Sequence, residues 1–90
     1  MLEAQVVLGN RLGLHARAAA KVVRAAKDFE SSITLVGVNG TQADAKSILS
    51  ILALAAGKGT RLTLIADGPD EVNVIERLRR LFANNFDEEQ

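Results

Sequence analysis

The chain contains a single histidine, and its setting raises the first chemical question. His15 lies in NRLGLHARAAAKVV, Asn10 to Val23, between a glycine-bearing turn and a run with helical spacing. That makes it the predicted N-cap of a helix. Serine, threonine, aspartate and asparagine lead at N-caps and histidine does not, so a local preference is broken here. Such breaks often mark function, but a lone surface histidine is usually inert, and on position alone a plain cap or surface residue stays slightly ahead. The chemistry tilts the balance. The first N–H groups of a helix have no intrahelical partner, and with the helix dipole they form an anion site. The same field, with Arg17 beside it, disfavours a protonated imidazole, so His15 is expected to be neutral near pH 7 with a free lone pair. A neutral imidazole is a nucleophile. The amides at Ala16, Arg17 and Ala18, with the Arg17 guanidinium, are what a phosphoryl group requires, because its transfer depends on positioning and on spreading charge. Gly13 lets the backbone turn sharply just before the helix. Nothing else in the chain supplies a base, a triad or a metal site for another reaction.

The elements that must hold these residues can be read from the pattern. Val6, Val7 and Leu8 form a short strand-favouring run that ends at Gly9-Asn10. From Ala16 to about Phe29, Ala19, Val22, Val23 and Ala26 recur at helical spacing, with Arg17, Lys21, Arg24 and Lys27 opposite. Ile33 to Val36 favour strand, and Asn39-Gly40 predicts a two-residue hairpin turn. DAKSILSILALAAGKG predicts a short helix stopped by Gly57 and Gly59. Leu62, Leu64 and Ala66 alternate with Thr63 and Ile65, a strand with one buried face. Pro69, Asp70 and Glu71 open a last helix with Val74, Ile75, Leu78, Leu81 and Phe82 as its apolar stripe. The order is β-α-β-β-α-β-α. It predicts an α+β fold: an open-faced β-sandwich, a four-stranded and mainly antiparallel sheet with three helices on one face.

Ninety residues suit one domain, spanning 1–90, with 87–90 expected as a frayed charged tail. Lysine plus arginine, 11, equal aspartate plus glutamate, 11, so no general grip on nucleic acid is indicated. Three phenylalanines, without tryptophan or tyrosine, argue against a base-stacking platform. The lack of cysteine removes disulfides and thiolate metal sites, and a single histidine is a poor metal ligand set, so neither metal nor cofactor is expected. No apolar run reaches membrane-spanning length and MLEAQVVLG does not read as a signal peptide. A cytoplasmic protein without membrane insertion is expected. AAGKGT is not a phosphate-binding loop, since Leu52 occupies the place of the first glycine and Gly59 follows Lys58.

GLHARAAAKVV resembles the active-site segment of the HPr family, the histidine phosphocarriers of the bacterial phosphotransferase system, and AKSILSILALAAGKGT resembles that family's second signature. The likeness spans roughly residues 3 to 86, and two motifs at matching distance are more specific than a lone His-Ala-Arg. It implies that His15 accepts phosphate from enzyme I on Nδ1, that Arg17 stabilises it, and that a IIA-type protein receives it. The protein would then be a transfer intermediate, not a free-standing enzyme. The family usually carries proline after this arginine; Ala18 restores an N–H and still favours helix, which predicts a slightly softer helix start.

The helix at SILSILALAA is too apolar for an ordinary surface helix. Ile48, Ile51 and Leu54 or Ala55 can share a core-facing stripe, which turns Leu49 and Leu52 to solvent as a partner patch. The resemblance implies docking on this helix, with Arg17, Ala20, Lys21, Arg24 and Lys46 around Leu49 and Leu52, the cations forming a rim for acidic partners. Ser47 could be a plain helix-start residue. In one family branch the matching serine is phosphorylated by a dedicated kinase, and a phosphate there would add about −1.5 to −2 charge beside the leucines. A serine kinase/phosphorylase is thus a further implied partner of Ser47. A monomer is expected, since two partners must reach one face in turn. The ending LFANNFDEEQ resembles the nitrogen-regulation branch and AKSIL the sugar-linked one. The competing reading is a non-catalytic regulatory module on a ferredoxin-like sheet that binds a small ligand or a protein, with His15 a surface residue.

Overall fold

The computed structural model describes residues 1–88. The elements follow the expected order: β1 (Leu2–Val7), α1 (Ala16–Ala26), β2 (Ser32–Val36), β3 (Gln42–Asp44), α2 (Ile48–Leu52), β4 (Arg61–Asp67) and α3 (Glu71–Ala83), then a short turn at Asn85–Asp87. The four strands run in the order β1-β4-β2-β3. All three pairings are antiparallel, with Val6 opposite Leu62, Leu35 opposite Leu64 and Leu35 opposite Ala43.

Alternation along the strands decides which face is covered. Val6, Ile33, Leu35, Leu62, Leu64 and Ala66 turn inward and are buried. Against them lie Ala19, Val22, Val23 and Ala26 of α1 and Val74, Leu78 and Phe82 of α3, at the spacing the sequence showed. Each such side chain stabilises the fold by about 1.5–3 kcal/mol when fully buried, and alanines proportionally less. The other face carries Glu3, Gln5, Val7, Thr34 and Thr63, and Gln5 Nε2 donates to Thr63 Oγ1 at 3.0 Å across the register.

Two expectations need correction. Asn39-Gly40 is not a two-residue turn. Gly37 N–H donates to Thr41 O at 2.8 Å, so Val38, Asn39 and Gly40 form the loop, with Gly40 at φ 84°. That is the three-residue hairpin, whose last loop residue must be left-handed. Second, α2 ends at Leu52 and does not run to Gly57. Ala55 adopts φ 50°, and the Ala56 carbonyl is taken by Leu14 N–H at 3.0 Å. A contact with the His15 loop thus overrides the helix propensity of the alanines. Of the tail expected at 87–90, residues 87 and 88 are described. Asp87 closes a turn onto Asn84 and Glu88 reaches back to Asn10 and His15; residues 89 and 90 lie outside the described residues.

Asp70, before α3, ties this helix to the turn before β2. Its carboxylate accepts Ser31 Oγ–H, and the N–H groups of Glu30 and Ser31 at 2.9 and 3.0 Å. The Ser31 hydroxyl first, and the Glu30 amide next, hold the Asp70 carboxyl below the ordinary aspartate value of 3.8. A depressed carboxylate stabilises the fold fully above its unfolded value, and the contribution disappears as pH falls through the folded one. The Asp70→Asn protein is therefore expected to be less stable than the parent at neutral pH. The gap should close from about pH 4 downward in a series of urea midpoints.

Candidate functional site

The loop between β1 and α1 is built to bring His15 to the helix end. Gly13 sits at φ 66°, in the left-handed region, and a Cβ there would run into the Ala56 carbonyl and Gly57. Leu14 N–H donates to Ala56 O at 3.0 Å, and the Leu14 side chain is buried beneath the loop. His15 follows with extended backbone as the N-cap of α1, its carbonyl accepting Ala19 N–H at 2.8 Å.

The ring lies partly open, with 26% of its side-chain surface exposed. Its two nitrogens have different partners. Nδ1 accepts Arg17 N–H at 3.2 Å, so its lone pair points onto the first turn of α1. Nε2 lies 2.5 Å from Glu88 Oε2. With Nδ1 an acceptor, the proton belongs on Nε2, which donates to the carboxylate. Glu88 Oε1 in turn accepts Asn10 Nδ2–H at 2.9 Å, and Asn10 Nδ2 also donates to Gly13 O at 2.8 Å. Burial alone would raise the Glu88 carboxyl. Hydrogen bonds from Asn10 and His15, with the positive charge of Lys21, outweigh it and hold Glu88 below the usual glutamate range. The result is an open groove of about 550 Å³ lined by Leu12, His15, Arg17, Lys21, Asp87 and Glu88.

The other expected residues fall unevenly around this groove. Ala16 and Ala18 lie in the first turn of α1, and Ala18 is wholly buried on its side-chain side, leaving its backbone as the relevant group. Arg17 and Arg24 are exposed on α1, and Ala20 is half-buried beside them. Lys21 is half-buried and its Nζ donates to Phe86 O at 2.5 Å, so part of its role is to hold the tail. Lys46 directly precedes the Ser47 cap of α2. Its Nζ donates to Phe29 O at 2.9 Å, beyond the far end of α1, about 16 Å along the helix by its rise per residue. Ser47 is the N-cap of α2, with Oγ accepting Ser50 N–H at 3.3 Å. Leu49 is 80% exposed, as the apolar-patch reading requires. Leu52 is instead half-buried against the core, and Ile48, expected to face inward, is 40% exposed. Of the expected stripe, Ile51 is buried, Leu54 partly so, and Ala55 is exposed. A helix this short does not commit a full stripe to the core, so Ile48 and Leu49 share the outer side.

Three residues escaped the sequence reading. Leu12 is 62% exposed at the groove edge and adds an apolar group beside His15. Asn10 is fully buried and was legible only as the end of a strand. Glu88 lies 73 positions from His15 in a charged ending, and no local pattern couples them. The expectation of a neutral ring weighed only the positive neighbours, the helix and Arg17; a carboxylate stands at the other nitrogen. Among the described residues there is no cluster of three or more acidic, histidine or cysteine side chains able to hold a metal, and no helix is long and apolar enough to cross a membrane.

The chain as a whole is similar to known proteins. A family model described as the PTS HPr component phosphorylation site matches residues 2–84. The chain is 47% identical over 88 residues to a phosphocarrier protein HPr of Cupriavidus necator, covering 98% of each chain. It is 36% identical over 85 residues to a phosphocarrier protein NPr of Proteus mirabilis, covering 94% of each. The crystal structure of HPr-C-His from Thermoanaerobacter tengcongensis matches with a TM-score of 0.94 at 38% identity, over 100% of both chains. With the sheet order, the helix-capping histidine and the match over almost its whole length in agreement, the chain belongs to the HPr family, the phosphocarriers of the phosphotransferase system.

Proposed function

We propose that the chain takes a phosphoryl group from enzyme I on Nδ1 of His15 and hands it to a IIA-type acceptor. The observation that carries this reading is the direction of the Nδ1 lone pair, held on the first turn of α1 with Arg17 N–H at 3.2 Å. When Nδ1 bonds phosphorus, that amide loses its nitrogen acceptor. It is then free to donate to a phosphoryl oxygen, with the neighbouring open amides and the Arg17 guanidinium. Purified protein incubated with enzyme I and phosphoenolpyruvate is expected to gain one acid-labile phosphate per chain, and to lose it on addition of a IIA-type protein. A protein that stays unlabelled sinks the reading.

Docking falls to the exposed apolar side chains Leu12, Ile48 and Leu49, with Arg17, Lys21 and Arg24 as the basic rim. Leu52 contributes from beneath. A Leu49→Asp variant keeps its fold, since the side chain is outside the core, but loses a central contact and repels an acidic partner. Its KM for transfer from enzyme I should rise on the order of tenfold, which corresponds to about 1.4 kcal/mol, with little change in kcat.

Ser47 is proposed as a regulatory site for a serine kinase/phosphorylase, since a phosphate on the α2 cap would bring negative charge next to Leu49. The carrier works in the cytoplasm as a monomer, its His15 face open to enzyme I and acceptor in turn. Relatives named HPr and NPr leave two branches open, and a pull-down of the phosphorylated protein identifies the acceptor, sugar-linked or nitrogen-linked.

A further inference from the structure

The reading of His15 as a phosphoryl acceptor makes no use of Glu88, yet the chain goes to some length to bring it to the ring. Asn85, Phe86 and Asp87 pass through φ of 54°, 56° and 60°, three consecutive non-glycine residues in the left-handed region. That backbone is unfavourable for residues with a side chain, so packing must hold them there. The Phe86 ring is buried against Phe82, centroids 4.9 Å apart at 64°, and Lys21 holds the Phe86 carbonyl. Gly9 leaves room for the Asn85 side chain, which a Cβ would meet at 2.6 Å. Asn10 then grips one carboxylate oxygen of Glu88 and His15 the other.

Resting on the phosphocarrier reading, we propose that Glu88 is a positioning residue for His15. Its carboxylate keeps the proton on Nε2, leaving the lone pair on Nδ1, and balances the positive charge the ring acquires while it carries phosphate. The bonds balance without exchange of a proton with solvent. In uptake the Nδ1 lone pair forms the N–P bond, while the donor's bond to phosphorus breaks and its electron pair leaves with the donor. The Nε2 proton stays, so the ring becomes a phosphoimidazolium. In delivery an acceptor lone pair forms the new bond to phosphorus, the N–P bond breaks, and its pair returns to Nδ1. The ring leaves as neutral imidazole, still protonated at Nε2. Were that proton lost, the ring would have to leave as imidazolate, a far poorer leaving group. A carboxylate orienting an imidazole through one nitrogen while the other does the chemistry follows the logic of the serine-hydrolase triad.

The charged groups around the ring divide by element. Arg17 and Lys21 on α1 oppose a charged ring, whereas Asp87 and Glu88 in the tail favour it; Glu88 alone among them bonds a ring nitrogen through its side chain. The bound phosphoryl group would face the α1 amides, with the ring between it and the carboxylate.

The test compares parent, Glu88→Gln and Glu88→Ala, with Glu3→Gln on the open sheet face as a charge control. In the unphosphorylated chain at pH 7, the ¹⁵N resonance of His15 Nε2 moves in Glu88→Ala and not in Glu3→Gln. After phosphorylation with enzyme I and phosphoenolpyruvate, the pH at which hydrolysis of the phosphohistidine slows falls by about one unit in both Glu88 variants. That equals about tenfold slower hydrolysis on the alkaline limb. Glu3→Gln should track the parent, because its charge is screened over that distance. Coincident hydrolysis profiles for the parent and both Glu88 variants overturn the positioning role while leaving the carrier intact. An unmoved Nε2 resonance overturns the contact itself. A parent that takes no phosphate on His15 overturns both this role and the carrier reading.

Discussion

Incubated with enzyme I and phosphoenolpyruvate, the His15→Ala protein takes up no acid-labile phosphate. The loss is complete, because in the proposed carrier the phosphate is held by a covalent bond to a residue for which no substitute exists. The chain has one histidine and no cysteine, and the amides and arginine that remain can bind an anion but cannot form the bond. Partial activity, of the sort that survives removal of one member of a catalytic group, is therefore not expected. The fold should survive. His15 is the cap of α1 through one weak bond to Arg17 N–H, and losing a cap costs about 1 kcal/mol, or about 4–8 °C in a domain of this size. Acid-labile label on the His15→Ala protein, detected after gel separation, would remove the acceptor assignment. Ser47→Ala should label like the parent.

The second large effect is expected two residues upstream. Gly13→Ala places a methyl group against the Ala56 carbonyl and Gly57, which are backbone atoms and cannot swing aside. It also forces a side chain into the left-handed region at φ 66°. The backbone term is about 1–2 kcal/mol and the collision adds more, for a loss of about 3 kcal/mol or more. Gly40→Ala separates the two contributions. Its φ of 84° makes the same backbone demand, but nothing lies within 4 Å of the new Cβ, so only the smaller loss applies. Urea midpoints for the pair decide the matter, and equal midpoints would show that the Gly13–Ala56 contact is not constraining. The Gly13 variant should also be phosphorylated on the order of 10²-fold more slowly. Relief of the collision moves the loop relative to Ala56 and displaces His15 from the helix end, and misplacement by about 1 Å has effects of that size.

The long helices and the sheet were legible because periodicity is a local record of burial. Ala19, Val22 and Val23 in α1, Val74, Leu78 and Phe82 in α3, and Leu62 and Leu64 in β4 each repeat at the spacing of their element, and all are buried. The central part of the site was legible for a similar reason. A glycine, a histidine and an arginine within five positions of one helix start form a local arrangement. What failed was set by distant contacts. Ala53 to Ala56 read as helix, yet Leu14 takes the Ala56 carbonyl and Ala55 turns left-handed. Ile48 read as core, but α2 is too short for a stripe to choose its side. Asn10 and Glu88 are joined by a bond across 78 positions, and neither residue type nor spacing announces it. Lys46 read as a rim cation beside Leu49 and Leu52, and its bond to the Phe29 carbonyl, 17 positions away, is likewise not announced by any local pattern.

All three helices lie on the same side of the sheet, and Glu3, Gln5, Val7 and Thr34 look the other way. The reverse of the molecule is therefore a natural handle. A fluorophore or an immobilising tether attached through a cysteine introduced at Glu3 or Thr34 would be the chain's sole thiol and would sit behind the groove. Shuttling between donor and acceptor could then be followed on a surface, one molecule at a time, with the working side facing the solution.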